Sequence, residues 1–180
     1  MVKSYFGMLH LTRGDEALAM AYGAMSAMSA GMTMLIMSDV TTAIPVTIVG
    51  YETWVAIVGA FSGALALYAT RNWMSLAGRL GTLRAMVGGC ISAFLAAVIA
   101  GTLIVPFYGT LFAPVLLLTA FTVKPYLVLA WFGIVMMAHL LLVRHDIELR
   151  RAAREEDLSA IGQLSDLSKA QLYPKRRRLN

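Results

Sequence analysis

Charge is missing from most of this sequence. Residues 17–37, 53–70, 85–123 and 125–143 contain no Asp, Glu, Lys or Arg, and only 14% of the 180 residues are charged against 59% hydrophobic. Such a composition excludes an ordinary soluble domain. It describes a chain that crosses a bilayer, because about 20 apolar residues span a hydrocarbon core of about 30 Å.

Cysteine is nearly absent. The single Cys90 excludes an intrachain disulfide and a CxxC redox pair, and with them the small four-helix enzymes that oxidise thiols. A basic leader is missing too. Asp15 and Glu16 stand where the positive region of a signal peptide should end, and the apolar run after them is longer than a signal core of about 7–15 residues. The first apolar segment is therefore expected to stay in the chain.

Catalytic signatures are lacking as well. There is no HExxH, GxSxG, phosphate-binding P-loop or dinucleotide fingerprint, and no carboxylate within the apolar runs. A proton- or ion-coupled carrier should place a carboxylate near the bilayer midplane. Here the midplanes hold only the hydroxyls of Ser26, Ser29, Ser62 and Ser92. His139 is the one histidine inside an apolar run, so it cannot supply both axial ligands of a haem, and His10 and His145 lie outside. His139 reads as a hydrogen-bonded interfacial residue rather than a proton relay. No catalytic, cofactor or metal residue is assigned, and the chain is read as non-enzymatic.

What is present organises itself around positive charge. The 39-residue run 85–123 could hold one helix plus an apolar connection, or two short helices broken around "PFYGTLFAP" at 106–114. Basic residues decide between them. With four spans and both termini inside, Lys3, Arg13, Arg71, Arg79, Arg84 and the nine bases after Val143 all face the cytoplasm, which leaves Lys124 alone outside. Five spans would export six bases, against the tendency for positive loops to stay inside. The expected fold is thus all-α: a polytopic four-helix transmembrane bundle with both termini cytoplasmic and spans near 17–37, 52–70, 85–105 and 121–143. An interfacial segment 1–16 precedes the spans and a charged tail 144–180 follows them.

The apolar connection 106–120 must be helical, interfacial or covered by protein, because bare backbone is not tolerated in lipid. At the start of the first span, Thr12 precedes Asp15 by three residues, the spacing of a capping box, with acids near the positive end of the helix dipole.

Two patterns mark the first span. Met20, Met25, Met28, Met32, Met34 and Met37 crowd it, and Met28 and Met32 have the MxxxM spacing that suits soft metals such as Cu(I). Only Met25, Met28 and Met32 share a helix face, and no Met-rich or His-rich collecting segment accompanies them, so packing is the expected role. On the opposite face Ala19, Gly23, Ala27 and Gly31 repeat every four residues. Such small-residue ridges let helix backbones approach closely. Gly59 and Gly63 form a second, and Gly89, Ala93, Ala97 and Gly101 a third. All three ridges are expected to hold a compact bundle together.

After Val143 the character changes. Arg144, Arg150, Arg151 and Arg154 form a basic collar suited to anionic headgroups, followed by Glu155, Glu156 and Asp157. Leu158, Ile161, Leu164 and Leu167 then make a slanted stripe, expected to form a short docking helix. Pro174 ends it, and Lys175, Arg176, Arg177 and Arg178 close the chain with a basic patch. Nucleic acid is not the expected partner, since the patch lacks aromatics and a folded reader.

These features together suggest an accessory, non-catalytic subunit of a larger assembly in a bacterial inner (plasma) membrane. Lipid headgroups and other membrane subunits are its expected partners. The rival reading is a homo-oligomeric channel, holin-like pore or small transporter lined by the serines and the 106–114 loop.

Overall fold

A computed structural model describes residues 13–43, 50–76 and 78–172 of the chain. They form five helices: α1 (Arg13–Ala43), α2 (Tyr51–Met74), α3 (Arg79–Ile104), α4 (Tyr108–Val123) and α5 (Pro125–Leu172). No strand occurs among the described residues. The stretches Arg13–Val40, Tyr51–Met74, Leu80–Ile104 and Pro125–Ser159 are each long and apolar enough to cross a membrane. α4, at 16 residues, is shorter.

α1 packs against α2 and α5, α2 against α3, and α3 against α5, so these four helices close a ring. α4 stands outside it, folded back along α3. Met25, Leu67, Met74, Trp131, Val135 and Leu142 fill the middle of the ring. The outer surface is equally apolar in character, with Trp54, Phe61, Trp73, Leu80, Leu129 and Leu140 exposed. A helix that is hydrophobic all round belongs in a large core or a bilayer. On α2 the exposed Trp54 and Trp73 stand nineteen residues apart. That is about 28 Å of helix, close to the spacing of the two aromatic belts of a membrane protein.

Local chemistry sets the helix boundaries. Asp15 and Glu16 occupy the first turn of α1, at the positive end of its dipole. Gly50 and Gly78 cap the starts of α2 and α3 at φ +85° and +99°, values that a side chain would resist. Their carbonyls accept from Trp54 N and Thr82 N at 3.0 Å in both cases. Between α3 and α4 the chain reverses in three residues. Phe107 takes φ +66° and ψ −60°, and Tyr108 N donates to Pro106 O at 2.9 Å, a strained γ-turn.

The structure differs from expectation at two boundaries. The last span begins at Pro125 rather than at 121: residues 121–123 belong to α4, and Lys124 interrupts the helix. Proline lacks an N–H, drives the residue before it out of the α region, and is well suited to the first turn of the next helix. The connection 106–120, one continuous apolar run to the eye, is thereby a tight turn and a separate helix. Downstream, Leu158, Ile161, Leu164 and Leu167 do not form a docking helix of their own. They lie on α5, which runs unbroken for 48 residues, because no proline or turn interrupts its helix formers before Leu172.

Candidate functional site

The three small-residue ridges have different fates. On α2, a Cβ at Gly59 would fall 2.8 Å from Ala30 Cα, and one at Gly63 would fall 2.6 Å from Ser29 Cβ and 2.7 Å from the Met25 carbonyl. α1 and α2 touch there at backbone distance. On α3, Gly89 faces Val135 of α5, and Gly101 faces Gly109 and Ala113 of α4. Ala93 is buried and Ala97 packs against the core beside it.

On α1 the arrangement is the reverse of that expected. Ala19, Gly23, Ala27 and Gly31 are all exposed, and nothing lies within 4 Å of a Cβ built at Gly23 or Gly31. The buried face is Ala17, Ala21, Met25, Ser29 and Met32. The reason is that glycines on α2 already provide the close approach at the α1–α2 seam, so α1 can present larger side chains there. Among the described residues the α1 ridge therefore has no backbone to receive.

The methionines that share a face are inside. Met25 is fully buried, Met32 nearly so, and Met28 packs on the edge of the same cluster. Among the described residues no three His, Cys, Asp or Glu side chains converge as metal ligands would. Cys90 is exposed on the outer face of α3.

Some buried polar atoms join helices, and others bond back to their own helix. Trp131 Nε1 donates to Gly89 O at 3.0 Å, which pins α5 to α3 at the place where glycine lets them meet. The Ser29 and Ser62 hydroxyls meet at 3.4 Å across the α1–α2 seam, and Ser62 also donates to Gly59 O at 2.8 Å. Ser92 donates to Gly89 O at 2.9 Å. His139 is buried and its Nδ1 binds the Met74 carbonyl at the last turn of α2. His145 Nδ1 lies 3.0 Å from Gly14 O, tying α5 to the start of α1. Among the described residues no buried side-chain nitrogen or oxygen lacks a partner. Ser29 and Ser62 thus join α1 to α2, while Ser92 bonds within α3.

At the Val40 end of α1 the packing opens. A cavity of about 210 Å³ lies between α1, α3 and α4, with Ile36, Val40, Ala97, Gly101, Phe112 and Leu116 among its walls. A smaller space of about 40 Å³ adjoins it deeper in the bundle, sharing Thr33, Ile36 and Ala97 and reaching Trp131. Asp39, next in the chain to the wall residue Val40, accepts a hydrogen bond from Lys124 Nζ at 2.6 Å. That bond, reinforced by the carboxylate charge and opposed by desolvation, raises the Lys124 pKa above its ordinary value of 10.5. Sequence reading missed this cavity because its walls come from three separate segments. The one available signal was the Lys124–Pro125 break, which separates α4 from the last span.

In the tail, Arg144, Arg150, Arg151, Arg154, Leu158 and Ile161 are exposed along α5. Leu164 and Leu167 lie on the same helix. Lys175, Arg176, Arg177 and Arg178 fall outside the described residues, as do residues 1–12 of the expected interfacial segment 1–16, Thr12 among them.

Compared with known protein families, curated proteins and solved structures, the chain matches none. Its architecture alone transfers no role, since four-helix bundles host unrelated functions.

Proposed function

We propose that this chain is a non-catalytic accessory subunit of a larger bacterial inner-membrane assembly, with both termini cytoplasmic. The observation that carries the reading is the outward ridge of α1. Association in lipid depends on close packing rather than on exclusion of water, and a strip of Ala19, Gly23, Ala27 and Gly31 offers a foreign helix a near-flat approach. The bundle closes without using it. α5 adds a second contact, since it continues for 29 residues beyond Val143, about 43 Å of helix at 1.5 Å per residue. Its exposed arginines suit anionic headgroups, and its exposed Leu158 and Ile161 suit a partner's apolar groove.

The test is purification in mild detergent followed by native mass measurement of the parent and two variants. One carries Gly23→Leu, Ala27→Leu and Gly31→Leu, and the other is truncated after Arg154. A stoichiometric set of foreign subunits with the parent, reduced or lost in each variant, supports the proposal. A particle built only of this chain overturns it in favour of the homo-oligomeric channel or transporter. Retention of every companion by the truncated chain would make the tail a solvated appendage.

A further inference from the structure

We propose that the cavity between α1, α3 and α4 is a binding site for one acyl chain of a membrane phospholipid. Three observations lead there. The first is size: an apolar space of about 150 Å³ is already enough to take up an apolar guest, and this one, open on one side past the exposed Tyr108 and Phe112, is about 210 Å³ with a further 40 Å³ adjoining it. The second is chemistry. Its walls are aliphatic and aromatic apart from Thr33 and Tyr108, and Thr33 Oγ1 is already committed to Ser29 O at 2.7 Å. Water would find almost no partners there, whereas methylenes would restore the dispersion contacts that an empty space forfeits.

The third is the charge carried beside the wall residue Val40, where Asp39 holds Lys124. A lysine ammonium has three donors, and Lys124 gives one to Asp39, which leaves donors for a phosphate oxygen. A phospholipid meets both requirements at once, its phosphate at Lys124 and its chain running down past Val40 and Ile36 towards Ala97. The wall along α1 from Thr33 to Val40 covers seven residue steps, about 10 Å of helix, so the site takes part of a chain rather than a compact ring. The inference rests on the membrane-spanning reading of the helices, not on the accessory-subunit reading.

Trp131 provides the measurement, because it is buried, held by Gly89 O and lines the inner space. With Trp54→Phe and Trp73→Phe it becomes the sole tryptophan. The protein is reconstituted in phosphatidylcholine vesicles whose acyl chains carry bromine, a short-range quencher. Trp131 fluorescence should be quenched, and Ala97→Phe, which fills the shared wall of the two spaces, should reduce that quenching by about two-fold or more.

Ala100→Leu, a milder filling of the larger cavity, guards against misfolding of the first variant, and should give a smaller reduction. Lys124→Gln should raise the brominated fraction needed for half-maximal quenching. Equal quenching in the parent and in every filled variant that keeps the parent's circular dichroism would overturn the proposal. If Trp54 and Trp73 of the unaltered chain were not quenched either, the spanning reading itself would fall, which is a separate and distinguishable failure.

Discussion

Glycine does opposite things at the middle of α1 and beside its Val40 end. At the α1–α2 seam, Gly59 and Gly63 stand four residues apart on one face, and the helices touch at backbone distance through Ala30, Ser29 and the Met25 carbonyl. Near Val40, Gly101 and Gly109 also meet backbone to backbone, but across the turn between α3 and α4. There the contact acts as a hinge point, and α1 stands apart from both helices to leave a cavity. A glycine pair repeated along a face closes a seam. A pair across a turn brings two helices together at one end and leaves the third wall free.

The largest loss of stability is expected at Gly63. Its Cβ would meet the Met25 carbonyl at 2.7 Å, an atom of backbone that cannot rotate away. Gly63→Leu is expected to cost about 3 kcal/mol by overpacking, read as loss of folded chain when sodium dodecyl sulfate is titrated into mixed micelles. An unchanged midpoint would show that the seam is not closed as described.

Trp131→Phe should come next, at about 1–2 kcal/mol in the same titration. It removes one hydrogen bond and some core volume, while Gly89 O keeps its bond from Ser92. Smaller still, Met25→Leu and Met32→Leu keep apolar volume and remove sulfur, so each should cost less than about 1.5 kcal/mol. Cells carrying both changes together with Met28→Leu should keep their copper content and tolerance. A loss of either, at constant protein level, would reopen the metal reading of this face.

On the open side of α1, Gly23→Leu, Ala27→Leu and Gly31→Leu should leave bundle stability within about 0.5 kcal/mol, since these positions meet no described residue. Their effect should appear only in co-purification. The smallest change is expected from Lys124→Gln, because the ion pair is solvent-exposed. Its sign is set by the raised pKa. A base held above its unfolded value stabilises the fold fully below about 10.5 and loses that contribution as pH rises through the higher folded value. Parent and variant midpoints should therefore differ slightly at neutral pH and converge in strong alkali.

Much of this was legible in order along the chain. Uncharged runs located the four long apolar helices to within several residues, except at the far end of the last, which runs on past the expected 143, since span length is a property of consecutive side chains. The clustering of basic residues gave an expected orientation. Face assignment was less legible. Small residues recurring at i and i+4 show that a helix can be approached closely, and say nothing about which helix arrives. On α1 the ridge was expected to face its own bundle, yet the methionine face does so, because one glycine-bearing partner at a seam is enough.

Local composition is enough to place the four long apolar helices, and the breaks at Gly50, Gly78 and Lys124–Pro125 follow from backbone stereochemistry, although the last span was expected to begin at 121. Three things depend on tertiary structure: that α1 turns Met25 and Met32 inward, that α4 folds back on α3, and that Thr33–Val40 ends up opposite Ala97–Gly101 with space between them. Each depends on which residues from distant segments compete for the same contact. That competition is settled by volume and hydrogen bonding in three dimensions.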